Sequence, residues 1–465
     1  MATSKGATYD VIIVGAGPAG IFTALELARK APQLKVLMLE AGADISARIC
    51  PRHIRSAKCV DCSPCSVLSG WGGAGAFSDG KLTLTSEFGG FLGEYMSKSD
   101  VEGLVDYVDR AYLEFGANEV VYGTDRESVA NLTRICSSVG LQLLHGRIRH
   151  LGTENCPEIL RKMHEYLSGR VEIRTKTPVK RILAGRGAVR GVVTESGEEI
   201  LARYVVCAPG RRGSEWFSTE AKRLRLTLAT NPVDIGVRVE VPAVVLESIT
   251  EKVYEPKIIY YSRSFDDLIR TFCVCPHGEV VLENSGGLVT VNGHSRRDYQ
   301  TSNTNLALLV SKSFTEPFKE PIAYGKYIAS LANMLGGGVL VQRLGDLQAG
   351  RRTTDKRLAK GMVQPTLKDA TPGDLSLVLP YRHLIDILEM LEALDRVAPG
   401  LNSSHTLLYG VEVKFYSSRL EVGPGLESQV RNLFAAGDGA GITRGLAQAS
   451  ASGVHAARAI IAREQ

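Results

Sequence analysis

The sequence predicts an α/β protein: a Rossmann-like three-layer ββα domain interrupted by an inserted α+β capping domain. Three observations carry this. Residues 10–14, Asp-Val-Ile-Ile-Val, form an apolar β-branched run leading into Gly15-Ala16-Gly17-Pro18-Ala19-Gly20. Residues 433–436 form a second apolar run, leading into Gly437-Asp438 near the other end. Between them, from about 216 to 412, the texture shifts to short alternating strands and amphipathic helices.

Each element follows from its residues. An unbroken apolar β-branched run suits a parallel strand buried on both faces. Gly15 permits the tight turn, Gly17 lets backbone approach a pyrophosphate, and Gly20 lets the helix close on the strand. That helix stops before Pro32. Residues 34–39 form the second strand, and Glu40 closes it twenty residues after Gly20. A carboxylate there accepts from a ribose 2′-hydroxyl and repels a 2′-phosphate, which favours FAD or NAD over NADP. The run Gly72-Gly73-Ala74-Gly75-Ala76-Phe77 has few bulky side chains, so its backbone can lie against a large ligand. Helices are expected over about 99–145 and 158–167. Strands are expected at 171–174, 179–183, 191–195 and 203–207, the last ending in Ala208-Pro209-Gly210. In the insertion, residues 235–240 alternate as an antiparallel strand with one wet face. Further strands are expected at 257–261, 271–275, 279–283 and 287–292, and helices near 303–315, 322–334 and 381–396. Asp438 and a helix opening at Gly445-Leu446 would serve the flavin end of a dinucleotide. The predicted division is a discontinuous FAD-binding domain of 1–98, 151–215 and 413–465, with 99–150 and 216–412 forming the substrate domain.

Composition narrows the class. With 44% hydrophobic and 23% charged residues, the 465-residue chain is an ordinary globular one. A net charge of +5 without a sustained basic run argues against a nucleic-acid partner. No apolar stretch reaches the ~20 residues that span a bilayer. The expected location is the cytoplasm, and the expected partner is a small molecule.

The motifs resemble those of flavoproteins with two dinucleotide-binding domains, of the glutathione-reductase type. The matching residues are the Gly15–Gly20 fingerprint with Glu40, Ala208-Pro209-Gly210, and Phe434-Ala435-Ala436-Gly437-Asp438. More narrowly the chain resembles the uncharacterised FAD-dependent (NAD(FAD)-utilising) dehydrogenases. That likeness rests on residues 72–81, on Phe272-Cys273-Val274-Cys275-Pro276, and on Asp346-Leu347-Gln348-Ala349-Gly350-Arg351. It implies a fold and resident FAD, not a substrate. Residues 276–278 read Pro-His-Gly where the family pattern has Pro-Gly-Gly. A second glycine fingerprint for NAD(P)H is missing from the sequence, so a nicotinamide would act only as a transient electron donor.

The expected cofactor contacts are Gly15, Gly17, Pro18, Ala19, Gly20, Glu40, Ala41, Gly73, Ala74, Gly75, Ala76, Val179, Ala208, Pro209, Gly210, Gly437, Asp438, Gly445 and Leu446. Cys50, Cys59, Cys62 and Cys65, spaced C-x8-C-x2-C-x2-C, suit zinc or an iron–sulfur cluster. Thiol–disulfide exchange and simple loop packing are the other readings of these four. Cys273 and Cys275 share a strand face, with packing the plainer role. His277, Lys414 and Tyr416 are candidates to move a proton. Glu412, Lys414 and Tyr416 would share one strand face. The leading function is hydride transfer between flavin N5 and a small molecule. A flavin monooxygenase, a flavoprotein acting on RNA and a non-catalytic partner-binding flavoprotein are the alternatives.

Overall fold

The computed structural model describes residues 8–50, 62–78, 80–152, 154–285, 287–295, 299–315, 317–318, 320–416 and 418–465. The chain divides into two compact units: 1–120 with 149–231 and 416–465, and 121–148 with 232–415.

The first unit is built on a sheet whose strands run in the order Glu172–Arg174, Val36–Leu39, Thr8–Val14, Glu199–Cys207, Ala188–Thr194, Val179–Gly185. Leu433–Ala435 also pairs in parallel with Glu199–Cys207. Thr8–Val14 has parallel neighbours on both sides. Val11, Ile12 and Ile13 are fully buried there, which is why the run is apolar throughout. The strands at 179–207 pair antiparallel with one another and extend the same sheet. Pro18–Lys30 forms the helix after the glycine turn, with Pro18 at its first position and Arg29 and Lys30 in its last turn. Leu446–Glu464 lies against it through small residues. A Cβ at Gly453 would come within 2.0 Å of the Ala19 carbonyl oxygen, and Thr23 Oγ1 donates to the Gly453 carbonyl at 3.1 Å.

The helix Lys98–Glu114 belongs to this unit, not to the substrate domain expected from sequence. Its buried stripe of Val101, Leu104, Val105 and Val108 faces the unit's interior. Tyr112 at its end meets Phe22 with ring centroids 5.2 Å apart.

The second unit centres on a largely antiparallel sheet. Its strands run Thr371–Pro372, Leu340–Arg343, Leu407–Lys414, Val233–Pro242, Asn303–Lys312, Leu268–Cys275, Lys257–Tyr261, Gln142–Leu144. Ile235, Val237 and Val239 contribute to one core with Leu306, Leu308 and Val310, and the helices Arg126–Ser138, Pro321–Gly336 and Tyr381–Asp395 add Leu132, Ala329, Ile387 and Met390.

Two expectations are corrected here. Residues 303–312 form a strand, not a helix. It is paired on both edges, with Val233–Pro242 and Leu268–Cys275, and Leu306 to Val310 are buried on both faces. Such a strand loses its alternation and reads like a buried helical segment. The strand over 235–240 has no wet face: Asp234, Arg238 and Glu240 are each 0% exposed. Its polar alternation marks a buried ionic face.

Candidate functional site

The glycine stretches of the first unit converge. A Cβ at Gly15, which has φ of 103°, would come within 2.2 Å of the Ala208 carbonyl oxygen, and one at Gly20 within 1.9 Å of the Gly15 carbonyl oxygen. These two glycines are required by the fold itself. Gly17 differs, because a Cβ there would meet only the Gly73 Cα at 4.0 Å. The turn Gly73–Phe77 therefore lies over the fingerprint. A Cβ at Gly75 would sit 2.7 Å from Leu446 Cδ2 and 3.8 Å from Pro18 Cγ, at the starts of both long helices. Gly439 abuts Gly210, with a Cβ 2.2 Å from its carbonyl oxygen. Residues 15–20, 73–76, 208–210 and 437–446 thus form one neighbourhood.

Both helices open without a side-chain cap, Pro18–Lys30 at Gly17 and Leu446–Glu464 at Gly445. Backbone amides at their first turns lack intrahelical partners and carry the positive end of the helix dipole. Gly210 and Gly445, with φ of 62° and 117°, have open space where a Cβ would stand. The Asp438 carboxylate accepts from Thr443 Oγ1 at 2.8 Å and from the Gly445 amide at 3.3 Å. Arg211 Nε lies 3.6 Å away. Burial pushes the Asp438 carboxyl up, against the pull of Arg211 and Thr443. The uncapped amides, the open glycine faces and a half-buried acid beside them fit a dinucleotide with a pyrophosphate and a polar ring edge.

Glu40 is held by backbone amides. Its Oε2 accepts from the Ala16 amide, and its Oε1 accepts from the amides of Gly42 and Gly70, each at 2.8 Å. It clasps three turns. Oε2 retains capacity for one further donor. Ala41 is exposed and Val179 half-buried. The amides of Lys176 and Thr177, just before Val179, donate to the carbonyls of Gly42 and Glu40.

Arg48 was not legible in the sequence. Its buried guanidinium donates to the carbonyls of Ser66, Val67, Trp71 and Gly73 at 2.6–3.0 Å. It pins the glycine-rich turn, and burial draws its pKa down to about 10. A lone arginine in an irregular stretch has no spacing signal.

Of the cysteine cluster, Cys59 lies outside the described residues. Cys62 Sγ stands 4.0 Å from Ser66 Oγ, and the Cys65 carbonyl accepts from the Ser69 amide. Among the described residues no group of three or more His, Cys, Asp or Glu is placed to hold a metal ion, so the zinc or iron–sulfur expectation for Cys50, Cys59, Cys62 and Cys65 gains no support.

The candidate proton movers do not form one strand face. Lys414 ends the strand Leu407–Lys414, while Tyr416 belongs to the first unit. There the Arg444 guanidinium stacks 3.6 Å from the Tyr416 ring centroid. Lys414 Nζ pairs with Glu412 at 3.0 Å and Glu283 at 3.5 Å. Burial draws its pKa down, but those carboxylates more than offset this, so it holds its proton. Glu412 is chelated by Arg238 through bonds of 2.8 and 2.7 Å, with both side chains fully buried. His277 sits at a turn with φ of 48°. Its Nδ1 lies 3.1 Å from the Thr301 carbonyl, which leaves Nε2 as the ring atom for other work.

Residues 232–415 match the family described as "FAD-dependent protein, C-terminal domain-like", and residues 2–47 match the Thi4 family. An uncharacterized protein of Clostridium beijerinckii is 28% identical over 97% of this chain and 80% of its own length. Among solved structures, L-proline dehydrogenase from P. horikoshii aligns at 12% identity and a TM-score of 0.41, over 98% of this chain and 94% of its own. Glycine oxidase from Geobacillus kaustophilus aligns at 14% and 0.36, over 98% and 93%. A formate oxidase variant of Aspergillus oryzae aligns at 13% and 0.45, over 100% and 99%. Likenesses this loose carry nothing about substrate. No helix among the described residues is long and apolar enough to cross a membrane. The FAD-dependent family match thus falls on the insertion, and the Thi4 match covers the glycine fingerprint together with Glu40.

Proposed function

We propose that the protein binds FAD in its first unit and oxidises or reduces a small molecule. The observation that carries this is the convergence of the glycine turns on two uncapped helix starts. When bound, FAD supplies hydride acceptance or donation at flavin N5. The amides at the start of Pro18–Lys30 would hold the pyrophosphate, with the open face of Gly17 allowing close approach. Glu40 supports the ribose end chiefly by fixing the Ala16, Gly42 and Gly70 amides. Gly73 to Ala76, Ala208 to Gly210, and Gly437 with Asp438 complete the binding surface. The uncapped start of Leu446–Glu464 would offer positive potential to the negative charge of a reduced flavin.

His277 is the residue we assign to proton transfer, through Nε2, with Thr301 fixing the ring. Lys414 serves instead as a fixed counter-cation to Glu412 and Glu283. Tyr416 positions Arg444. This reading refines the glutathione-reductase-type likeness without a dedicated nicotinamide domain, and the partner is a small molecule in the cytoplasm.

The test is direct. Purified protein should carry flavin, released on denaturation as FAD rather than FMN. Gly17→Val should remain folded by circular dichroism and lose flavin. A folded native chain that neither contains flavin nor takes up added FAD would overturn the proposal.

A further inference from the structure

The strand Leu268–Cys275 carries two thiols that the nucleotide reading leaves unused. Cys273 Sγ and Cys275 Sγ stand 3.8 Å apart. Residues i and i+2 of a regular strand share a face but are separated by about 6.6 Å of rise. Here the register with Asn303–Lys312 slips between Phe272 and Cys275. Cys273 adopts a φ of 45°, a left-handed value that non-glycine residues seldom take. The irregularity accompanies the close approach of the two sulfurs. Such outliers cluster at functional sites.

The surroundings hold this shape. Arg238 Nη1 donates to the Cys273 carbonyl at 2.7 Å and to Asn305 Oδ1 at 3.1 Å. The same guanidinium is locked by Glu412 and by Asn292 Oδ1. A Cβ at Gly293 would come within 2.4 Å of Arg238 Nη1, so the neighbouring hairpin closes tightly over it. The Cys275 thiol aims at the Cys273 carbonyl at 3.5 Å. Cys273 is half-buried and Cys275 buried, so one thiol is reachable and the other shielded. Lys257, Arg270 and Lys414 lie 4.6, 5.4 and 5.9 Å from the Phe272 ring centroid, next to the pair. Arg238 and Lys414 both interact electrostatically with Cys273. The carboxylates of Glu412 and Glu283 balance part of that charge.

We propose that Cys273 and Cys275 form a two-electron dithiol–disulfide site, oxidised by disulfides of small thiols. The Cys273 thiolate attacks one sulfur of the external disulfide and releases the first small thiol. The Cys275 thiolate then attacks Cys273 Sγ and releases the second. One intramolecular S–S bond forms and the external one breaks. Two electrons and two protons pass to the small thiols. Closure brings the sulfurs from 3.8 Å to the bonded distance of about 2.05 Å. The site stands whether or not the flavin reading does.

Peptide mapping of the full chain tests it. Trypsin releases residues 271–296 as one piece, because its interior holds no lysine or arginine. After incubation with glutathione disulfide, this peptide should lose two hydrogens in mass and resist alkylation, and dithiothreitol should reverse both changes. Cys275→Ser should accumulate glutathione on Cys273. Cys273→Ser should leave Cys275 unmodified. A native peptide that stops at the glutathione adduct, or that keeps both thiols alkylatable, overturns the proposal without reference to any variant.

Discussion

The first unit leaves backbone donors uncommitted, whereas the second commits most of its buried charges to one another. Around Gly17 and Gly445 the useful groups are amides, and side chains are kept away. Around Arg238 they are ions, matched by Glu412, Asn292, Asn305 and the Cys273 carbonyl. The first arrangement is prepared for a charged visitor. The second is already satisfied, so it stiffens the sheet and shapes what lies beside it.

The sharpest break in that comparison lies within the glycines. Gly20→Val should abolish soluble folded protein, because the new side chain lands on the Gly15 carbonyl. Gly17→Val should keep the fold and lose only flavin. Thermal denaturation followed beside flavin absorbance separates the two. If both variants fail alike, the turn is scaffold throughout.

Next comes the ionic centre. Glu412→Ala strands the Arg238 guanidinium and should cost about 3–5 kcal/mol in urea denaturation. The paired change Arg238→Met with Glu412→Leu should recover most of that loss. If Glu412→Ala costs under about 1 kcal/mol, the buried network is not what holds the sheet.

A smaller effect tests the helix Tyr381–Asp395. His383 is 3% exposed and, among the described residues, neither ring nitrogen has a hydrogen-bond partner. Burial, helped by Lys312, draws its pKa from 6.5 to about 4. The unfolded chain therefore binds more protons between those values, and stability falls as pH drops through the window. Asp386, one turn on, is raised by burial from 3.8 to about 6 and acts with the opposite sign over about pH 4–6. His383→Leu should remove only the first contribution, at most about 3 kcal/mol. The native chain should thus lose more stability than the variant between pH 7 and 4.5. Equal losses would refute a buried neutral His383.

The smallest effect is at the surface. Arg351→Ala should change stability by no more than about 0.5 kcal/mol. Arg351 is half exposed, and Asp346 keeps Thr353 and Arg357.

What the sequence discloses follows the same division. The nucleotide turns are legible because backbone geometry demands glycine at fixed spacing, so Gly15, Gly17 and Gly20 announce themselves. Asp234, Arg238 and Glu240 alternate as a solvent-facing strand would, and only partners far along the chain show that the face is buried. Residues 303–312 mislead for a related reason: burial on both faces erases the period. Glu40 was visible as an acid at the right place. Its three backbone amides were not, because Gly42 and Gly70 approach it only after folding.

The close approach of Ala19 to Gly453 also sets a timetable. Thr23 and Gly453, which share a hydrogen bond, are 430 residues apart in the chain. At translation rates of about 5–20 residues per second, roughly 20–90 s separate their synthesis. Residues 232–415, uninterrupted and synthesised in between, can assemble most of their own sheet in that interval. The Pro18–Lys30 helix must wait for its partner. On the proposed function, acquisition of the nucleotide is therefore a late event, completed once the second unit's main segment has been made.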